Sequence, residues 1–360
     1  MIEGRSLIAR LNVNELPWSG FGEDDVLELG AMELNRYPDG DYLELRSALA
    51  GLEGSAGLQG SAGLQGSAGL QGPTGLDRLI EPDQICLGNG SDEMIQTIFG
   101  MLSMKNRNGR IFVENPTFGE YRRVAEIVGL EVESPTDGEL GKQALIMIPE
   151  GVDGVVICRP NNPTGVMIRK QDVIGLLTEY SGVVIVDEAY ISFADEGESM
   201  VDCIGRFPNL IVLRTLSKAY GLAGVRLGYS ISSKEMAMRL NEIRQPYNIN
   251  RLTETVVLRG LSKDRLVDLQ QKIGWVKEER SWIETELERL GLSYLESCSN
   301  FFFVKMPKKS WRKTLKKKME ENGVLVRFFQ EKLLSDYFRF SIGTRAENQR
   351  LLEVLGSHDQ

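Results

Sequence analysis

Four short apolar runs, separated by amphipathic stretches, dominate the pattern between about residues 84 and 230. They are residues 111–113 (IFV), 155–158 (VVIC), 183–186 (VVIV) and 210–213 (LIVL). Continuous runs of this length, rich in β-branched side chains, are typical of strands that are buried on both faces of a parallel sheet. Helical periodicity fills the intervals, for example in Met94, Ile95, Ile98, Phe99 and Leu102. The alternation predicts an α/β fold with a mostly parallel sheet flanked by helices, and it places the ligand site at the carboxyl ends of the strands.

After residue 232 the pattern becomes mainly helical and then mixed. The longest helix is predicted from about Asp264 to Leu290, and short strands around one helix are predicted from about residue 294 onwards. We therefore expect a large α/β domain at 31–260, a connecting helix at 261–290 and a smaller α+β C-terminal domain at 291–360. The N-terminal segment 1–30 is expected to pack at the active site and against the small domain.

The hexapeptide GSAGLQ occurs three times in succession between residues 54 and 71. Its period is far shorter than the roughly 20–50 residues of solenoid units, and it lacks the aspartates of calcium-binding turn repeats. Gly-rich segments of this kind behave as flexible linkers. We interpret residues 54–72 as a flexible surface insert in the large domain that has no function of its own.

The histidine count restricts the chemistry, because the 360 residues include only His358. Catalysis by Ser-His-Asp or Cys-His groups, His-ligated zinc and histidine general bases are therefore excluded. The four cysteines lack the paired short spacings of zinc sites or disulfide frameworks, so we interpret them as small apolar core residues: Cys86, Cys158, Cys203 and Cys298. If the chain is an enzyme, lysine, tyrosine, a carboxylate or a cofactor must carry the reaction, and no metal is expected.

The net charge of −9 at pH 7 has the wrong sign for binding nucleic acid through the overall field. No apolar run approaches the roughly 18 residues that a membrane helix requires. Residues 1–10 lack the basic and apolar regions of a secretory signal peptide. We therefore expect a cytoplasmic protein whose partners are small molecules rather than nucleic acid or membrane.

Polar clusters stand next to the predicted strands, in each case near the point where a strand ends. They are residues 88–93 (GNGSDE), 159–165 (RPNNPTG), 187–190 (DEAY) and 214–218 (RTLSK). Because the carboxyl ends of parallel strands lie at one edge of a sheet, we expect the four clusters to converge on one crevice. Arg159 is expected to add a cation near that crevice.

Lys218 is the candidate nucleophile in these clusters. A free lysine has a pKa near 10.4, so it is almost wholly protonated at pH 7 and reacts poorly. A catalytic lysine therefore needs desolvation or a Schiff base, and a Schiff base with pyridoxal phosphate meets this need. Such a cofactor also requires an acid near its pyridine nitrogen, donors to its ring oxygen and a cup for its phosphate.

Residues 215–229 (TLSKAYGLAGVRLGY), 161–165 (NNPTG) and 187–190 (DEAY) closely resemble the motifs of fold type I pyridoxal-phosphate aminotransferases. Within these enzymes the chain most resembles the histidinol-phosphate aminotransferase family. The closer resemblance is carried by residues 11–17 (LNVNELP), 35–39 (NRYPD), 90–93 (GSDE), 116–118 (PTF), 299–301 (SNF) and 339–344 (RFSIGT). These motifs extend over nearly the whole chain, and together they are far more specific than any one of them.

The resemblance implies that the cofactor is pyridoxal 5'-phosphate and that Lys218 binds it as a Schiff base and moves the substrate proton. Asp187 is expected to pair with the pyridinium nitrogen. At about 3 Å and an effective dielectric constant of about 20, such a pair is worth roughly 5 kcal/mol before desolvation. Tyr190 and Asn162 are expected to hydrogen-bond the ring oxygen, and Phe118 is expected to stack on the ring face.

The resemblance also implies a phosphate cup at the N-terminus of a helix. Its expected members are Ser91, Asp92, Ser217 and Arg226. Tyr37 is expected to reach the phosphate bound to the neighbouring subunit, which implies a homodimer with shared active sites.

The substrate is expected to bind through Arg327 and Arg339, which hold its acidic end, and through Asn14 in a segment that resembles the family's substrate lid. The function implied is a transamination in histidine biosynthesis. It interconverts histidinol phosphate and 2-oxoglutarate with imidazole acetol phosphate and glutamate.

Several alternatives stay open at this point. A threonine-phosphate decarboxylase or a broad aromatic aminotransferase shares most of these motifs. A non-catalytic binding protein on the same fold is disfavoured because Lys218 is present, and a nicotinamide dehydrogenase is disfavoured because Glu93 occupies the third glycine position of a G-x-G-x-x-G loop.

The basic run between residues 305 and 318 is interpreted as a solvated helix face, since Trp311, Leu315 and Met319 form an apolar stripe.

Overall fold

The computed structural model describes residues 8–22, 25–27, 29, 32–56, 80–135, 148–308 and 310–357. These residues form thirteen strands and nine α-helices. The strands are β1 (Ala9–Arg10), β2 (Ile85–Gly88), β3 (Arg110–Val113), β4 (Glu131–Glu133), β5 (Gly154–Cys158), β6 (Val183–Asp187), β7 (Leu210–Thr215), β8 (Gly228–Ser232), β9 (Tyr294–Leu295), β10 (Phe301–Lys305), β11 (Val324–Leu325), β12 (Arg327–Phe328) and β13 (Tyr337–Ser341). The helices are α1 (Leu43–Ala56), α2 (Ser91–Lys105), α3 (Glu120–Val128), α4 (Lys170–Glu179), α5 (Lys234–Ile243), α6 (Arg251–Gly260), α7 (Lys263–Arg289), α8 (Trp311–Glu321) and α9 (Arg345–Gly356).

Most of the predicted insert at 54–72 lies outside the described residues, as do His358 and parts of the N-terminal segment 1–30. The first three residues of the repeat are described, and they form the end of α1. The interpretation of the insert therefore stays a prediction.

Seven strands form the central sheet in the order β2-β8-β7-β6-β5-β3-β4. The strands from β7 to β4 pair in parallel, whereas β8 pairs antiparallel with both β2 and β7. The four apolar runs lie in β3, β5, β6 and β7, and helices flank the sheet, so the predicted fold class is confirmed. Strand β8 was not predicted, because its sequence GYSIS alternates apolar side chains with serines instead of forming a continuous apolar run.

The register of the sheet brings the ends of β2 and β7 to one edge. Gly88 pairs with Gly228, and Gly228 pairs with Thr215. Farther along the same edge, Cys158 at the end of β5 pairs with Asp187 at the end of β6. All four polar clusters therefore begin at this edge, as predicted.

The two faces of the sheet pack against different helices. One face contacts α2, α3 and α5, and the other contacts α1, α4 and α6. Consecutive strand residues point to opposite faces, so Ile185 lies on the α2 side and Val186 lies on the α1 side. The same alternation directs Asp187 towards α2 and α3, and Glu188 towards α1.

The C-terminal residues form a four-stranded antiparallel sheet in the order β12-β13-β10-β9. The long helix predicted near Asp264–Leu290 is present as α7, and its apolar face belongs to the core of this region. Ala9 and Leu11 of the N-terminal segment join the same core, and β1 pairs in parallel with β11. The boundaries of the two domains stay a prediction.

The basic helix α8 has the stripe that the sequence indicates. Leu315 and Met319 are 0% and 1% exposed, while the lysines around them lie at the surface. Cys86, Cys158 and Cys203 are buried as expected, but Cys298 is only partly buried. Within the described ranges, no helix combines the length and apolar character needed to cross a membrane.

Candidate active site

Asp187 is the last residue of β6 and is 4% exposed. Its Oδ2 accepts a 2.6 Å hydrogen bond from the Tyr121 phenol, and its Oδ1 accepts a 3.0 Å bond from the backbone N–H of Ala189. Burial raises the pKa of the Asp187 carboxyl, whereas the two hydrogen bonds and the charge of Lys218 oppose this rise. The site therefore contains a buried acid that two donors hold in one orientation.

Lys218 lies in the turn that follows β7. The backbone N–H of Ser217 donates to the Thr215 Oγ1 at 3.1 Å, which shapes this turn. The Lys218 Nζ donates to the Val13 carbonyl oxygen at 3.4 Å and lies 5.5 Å from the centre of the Tyr190 ring. The amine is therefore placed where the N-terminal segment meets the ends of β6 and β7.

Tyr190 is 4% exposed, and its ring stands at 83° to the ring of Phe301, with 5.1 Å between the ring centres. The Tyr190 hydroxyl accepts a 3.0 Å hydrogen bond from the Asn14 Nδ2. The backbone N–H of Asn14 donates in turn to the Ser341 Oγ at 2.8 Å. These contacts join the N-terminal segment, the central sheet and the C-terminal sheet at one tyrosine.

Arg339 on β13 is 8% exposed. Its Nη1 donates to the Asn162 Oδ1, and its Nη2 donates to the Asn12 carbonyl oxygen at 3.1 Å. The buried Nε has no hydrogen-bond partner among the described residues. Burial lowers the pKa of Arg339 to about 10, so the group is still a cation at neutral pH. Arg339 is thus a buried cation that uses only two of its N–H donors within the described chain.

Arg327 on β12 is the register partner of Arg339. The two guanidinium groups lie 5.8 Å and 5.9 Å from the centre of the Phe329 ring. Arg327 is exposed, and its positive charge contributes to the lowered pKa of Arg339. The structure therefore brings the two predicted substrate-binding cations together at one aromatic ring.

The predicted phosphate cup lies at the start of α2. The Arg226 Nη2 donates to the Asp92 Oδ2 at 3.2 Å, so the guanidinium lies across the first turn of the helix. Two glycines permit this packing. A Cβ on Gly90, whose φ is 87°, would lie 2.5 Å from the Arg226 Nη2, and a Cβ on Gly228 would lie 2.3 Å from the Ser91 backbone nitrogen.

Phe118 and Tyr37, the two remaining predicted residues, differ in their placement. Phe118 is half-buried beside α3, and its ring stands at 85° to the Tyr121 ring, with 5.6 Å between the centres. Tyr37 is 79% exposed and stacks on Tyr247 with 4.8 Å between ring centres. Within the described part of one chain, no hydrogen bond connects Tyr37 to the other predicted site residues.

Arg159 corrects one expectation, because its guanidinium does not point into the crevice. The side chain is fully buried, its Nε donates to the Ile168 carbonyl oxygen at 2.8 Å, and its other nitrogens bind Glu198. Arg159 therefore holds the loop around Glu198 instead of adding a free cation to the site.

Arg214 also points away from the crevice, although it belongs to the cluster at 214–218. The alternation along β7 directs its side chain to the face of the sheet that α1 covers. Its Nη2 lies 3.1 Å from the Glu53 Oε2 and 3.3 Å from the Glu188 Oε2, and it donates to the Ser199 Oγ at 3.0 Å. The side chains of Arg214, Glu53 and Glu188 are 12%, 5% and 0% exposed. This charged group lies under the sheet, on the side opposite Asp187.

Tyr121 and Ser341 are contributors that the sequence reasoning missed. Tyr121 supports Asp187, and Ser341 holds Asn14. The signal for Tyr121 was its helical spacing with Val124 and Ala125, which marks the buried face of α3. That spacing predicts burial, but it does not show which polar group the hydroxyl meets.

The groups at this edge fit pyridoxal phosphate. The buried carboxylate of Asp187 suits a ring nitrogen that carries a proton, and the N-terminus of α2 beside Arg226 suits a phosphate. Lys218 supplies an amine between them, close to the Tyr190 ring. The donor set therefore contains every type of group that the cofactor requires.

Residues 24–355 match the family model described as aminotransferase class I and II. The chain is 36% identical over 284 residues to the histidinol-phosphate aminotransferase of Thermoanaerobacter sp. (strain X514), a match that covers 77% of this chain and 78% of the relative. It is 31% identical over 362 residues to that of Leuconostoc citreum (strain KM20), covering 98% and 92% of the two chains. The solved histidinol-phosphate aminotransferase from Sinorhizobium meliloti in complex with pyridoxal-5'-phosphate has a TM-score of 0.77 at 22% identity, covering 98% of this chain and 92% of that chain.

The structural likeness supports the fold, and the relatives support the resemblance that the sequence motifs carry. The chain therefore belongs to the aminotransferase class I and II family, whose members depend on pyridoxal phosphate.

Proposed function

We propose that this enzyme binds pyridoxal phosphate through Lys218 and transfers the amino group of histidinol phosphate to 2-oxoglutarate, within histidine biosynthesis. The observation that carries the substrate proposal is the pair of cations at Phe329, the exposed Arg327 and the buried Arg339 with its unpartnered Nε. Histidinol phosphate ends in a phosphate and glutamate ends in a carboxylate, so one pocket must accept both anions. Guanidinium groups suit this pocket because they form paired hydrogen bonds with either kind of oxygen.

When bound, pyridoxal phosphate supplies an electron sink that lowers the cost of removing a proton from the substrate carbon. Lys218 holds the cofactor and moves that proton. Asp187 keeps a negative charge opposite the ring nitrogen, and Tyr190 and Asn162 donate to the ring oxygen. Phe118 covers one ring face, which excludes water from it.

The phosphate of the cofactor is assigned to the first turn of α2. Ser91 and Asp92 provide backbone N–H groups there, and Ser217 and Arg226 provide side-chain donors. The helix N-terminus attracts the anion because its first N–H groups have no intrahelical partner.

The direct test mixes the purified holoenzyme with histidinol phosphate alone and follows the absorbance of the cofactor. Conversion to the pyridoxamine form is expected, because the first half-reaction needs only the amino donor. Release of carbon dioxide from threonine phosphate without such conversion would favour the decarboxylase alternative. The names of the curated relatives support the aminotransferase.

Arg327→Ala should reduce kcat/KM for histidinol phosphate more than kcat/KM for glutamate, because the extra charge of a phosphate needs the second cation. A charge-assisted hydrogen bond is worth roughly 1.5–3 kcal/mol, so kcat/KM for histidinol phosphate should fall about ten- to hundredfold. Arg339→Lys should impair both half-reactions, because one ammonium cannot replace the bonds to Asn162 and Asn12 and also bind the ligand.

Steady-state kinetics with each substrate measure this difference. Arg312→Ala is a matched control, since this arginine lies over Phe328 and donates to the Ser335 carbonyl oxygen. It should leave the ratio of the two kcat/KM values unchanged. If the unaltered protein used histidinol as well as histidinol phosphate, there would be no phosphate pocket, and a broad aromatic aminotransferase would replace the proposed function.

We also propose a homodimer in which Tyr37 completes the site of the neighbouring subunit. Exposed apolar side chains at and shortly before the starts of α1 and α6 support this proposal, and two of them, Tyr37 and Tyr247, stack on each other. These side chains are Leu34, Tyr37, Leu43, Tyr247 and Leu252, between 40% and 79% exposed. Large exposed apolar patches mark interaction sites on soluble proteins.

Mixed dimers of Tyr37→Phe and Lys218→Ala subunits should be more active than either parent. If Tyr37 acts across the interface, one site of the mixed dimer contains both the native tyrosine and the native lysine. The measurement is specific activity after the two variants are unfolded and refolded together, with each variant treated alone as the control. Activity that does not rise above that of the Tyr37→Phe parent would place Tyr37 in its own subunit's site.

The location and the domains complete the proposal. We propose that the enzyme acts in the cytoplasm, with a cofactor-binding domain at 31–260, a connecting helix at 261–290 and a small domain at 291–360. The observations that support the division are the core cluster that the C-terminal sheet, α8 and α9 mainly form and the long helix α7. Cell fractionation and limited proteolysis of the dimer test the two statements.

A further inference from the structure

Tyr121 is a buried polar residue to which the proposed chemistry gives no role. Its side chain is 0% exposed, and its hydroxyl donates to the Asp187 Oδ2 at 2.6 Å. It lies in the first turn of α3, three residues after Phe118, and the two rings are in edge-to-face contact. The start of one helix thus supports two residues that the proposed function assigns to the cofactor ring.

The surroundings of Asp187 show why this hydrogen bond matters. Burial favours the neutral acid and raises the pKa of Asp187, and the bonds from Tyr121 and Ala189 are the first of the effects that oppose it. Burial also raises the pKa of Tyr121 well above its usual value, so the phenol keeps its proton and remains a donor at every working pH. The phenol therefore stabilises the negative charge on Asp187 and stays neutral itself.

The bond also fixes direction. Ala189 binds the Oδ1 and Tyr121 binds the Oδ2, so the plane of the carboxylate is held at both oxygens. The phenol itself cannot turn away, because its ring is enclosed by the core on the α2 face and contacts Phe118. An aspartate held in this way presents its charge in one orientation.

We propose that Tyr121 is a positioning residue that keeps Asp187 charged and aligned for the ring nitrogen of the cofactor. This inference rests on the proposed cofactor and not on the proposed substrate. Its consequence is selective: loss of the hydroxyl should weaken the interaction with the ring nitrogen and leave the other cofactor contacts in place.

The test measures equilibrium binding of two ligands, pyridoxal phosphate and its deaza analogue, in which carbon replaces the ring nitrogen. The Lys218→Ala background removes the covalent bond, so fluorescence titration reports non-covalent affinity alone. Adding Tyr121→Phe should reduce the affinity for pyridoxal phosphate about ten- to hundredfold and change the affinity for the analogue less than about threefold. Equal losses for both ligands would show a merely structural role and would overturn the proposal.

Tyr180→Phe is the matched control, because its hydroxyl also makes one partly buried hydrogen bond, to the Val152 carbonyl oxygen at 2.8 Å, away from the site. It should leave both affinities unchanged. A double-mutant cycle adds a second criterion: in an Asp187→Asn background, Tyr121→Phe should have little further effect on pyridoxal phosphate. A full additive loss there would contradict the coupling.

A measurement on the Lys218→Ala protein, in which Tyr121 and Asp187 are native, covers the case in which Tyr121→Phe does not fold. With Asp187 held as a charged group, the preference of the Lys218→Ala protein for pyridoxal phosphate over the analogue should be large and constant across neutral pH. A preference that disappears as the pH falls through neutrality would show an unsupported acid and overturn the proposal. Failure of both ligands to bind the native chain would instead overturn the proposed cofactor, and the inference with it.

Discussion

Lys218→Ala is expected to reduce turnover by at least about a thousandfold, because the variant loses both the covalent attachment of the cofactor and the base that moves the substrate proton. General acid–base catalysis by one positioned group contributes about 10²–10⁴-fold by itself. The variant should still bind pyridoxal phosphate through the first turn of α2 and Arg226, so loss of turnover should be larger than loss of binding. Single-turnover absorbance measurements with histidinol phosphate separate the two effects.

Lys305→Ala is a suitable control, since this lysine is exposed at the end of β10. Its turnover should match that of the unaltered enzyme. Borohydride reduction of the holoenzyme, followed by peptide mapping, should attach the cofactor to the peptide that contains Lys218. A label on any other lysine would refute the assignment.

Arg214→Met is expected to reduce the free energy of unfolding by about 3–5 kcal/mol, because it leaves two buried carboxylates without their shared cation. Glu53 and Glu188 both lie within hydrogen-bonding or ion-pair distance of the Arg214 Nη2, and both are buried. Methionine fills a similar volume, so the loss measures the charge rather than a cavity. Urea unfolding at neutral pH, followed by circular dichroism, gives the value.

The loss of unfolding free energy in Arg214→Met, its stability deficit, should depend on pH in a defined direction. Burial already raises the pKa of Glu188, and removing the arginine removes a charge that lowers it. A carboxyl whose folded pKa lies above its unfolded value destabilises the protein at high pH. This penalty shrinks as the pH falls through the folded pKa and is gone below the unfolded pKa. The deficit should therefore shrink towards acidic pH, where the Glu188 carboxyl of the folded variant becomes protonated.

Arg169→Met provides the contrast, because Arg169 is paired with Asp172 at the surface and is 82% exposed. Exposed pairs contribute little because water and salt screen their charges, so this variant should be nearly as stable as the unaltered protein. A loss for Arg214→Met that is no larger than that for Arg169→Met would show that the network under the sheet does not depend on its cation.

Local sequence patterns carried most of the fold and much of the candidate site. The apolar runs indicated a parallel sheet because strands buried on both faces require continuous apolar residues. The periodicity of α2, α7 and α8 indicated their buried faces, since a helix in a globular protein needs an apolar stripe. Asp187 could be placed at the edge of the sheet because it directly follows such a run, and Lys218 because it stands in the turn shortly after another.

The direction of individual side chains was beyond these patterns. Arg159 and Arg214 stand in the same clusters as the site residues, yet both point away from the crevice and bind glutamates. The face of the sheet to which a side chain points depends on where the strand begins and ends, because successive side chains alternate between the two faces. It also depends on partners that are distant in sequence, such as Glu53 for Arg214. A polar cluster of consecutive residues therefore contains side chains that point to both faces of the central sheet.

Contacts between segments that are remote along the chain explain the other features that the sequence did not predict. The antiparallel insertion of β8 between β2 and β7, the pairing of β1 with β11, and the bond from Tyr121 to Asp187 join segments separated by tens to hundreds of residues. Periodicity reports whether a side chain is buried, because burial is a property of each position. It does not report which group lies opposite, because that depends on the packing of the whole chain, and so only the tertiary structure shows the phenol that supports the acid of the site.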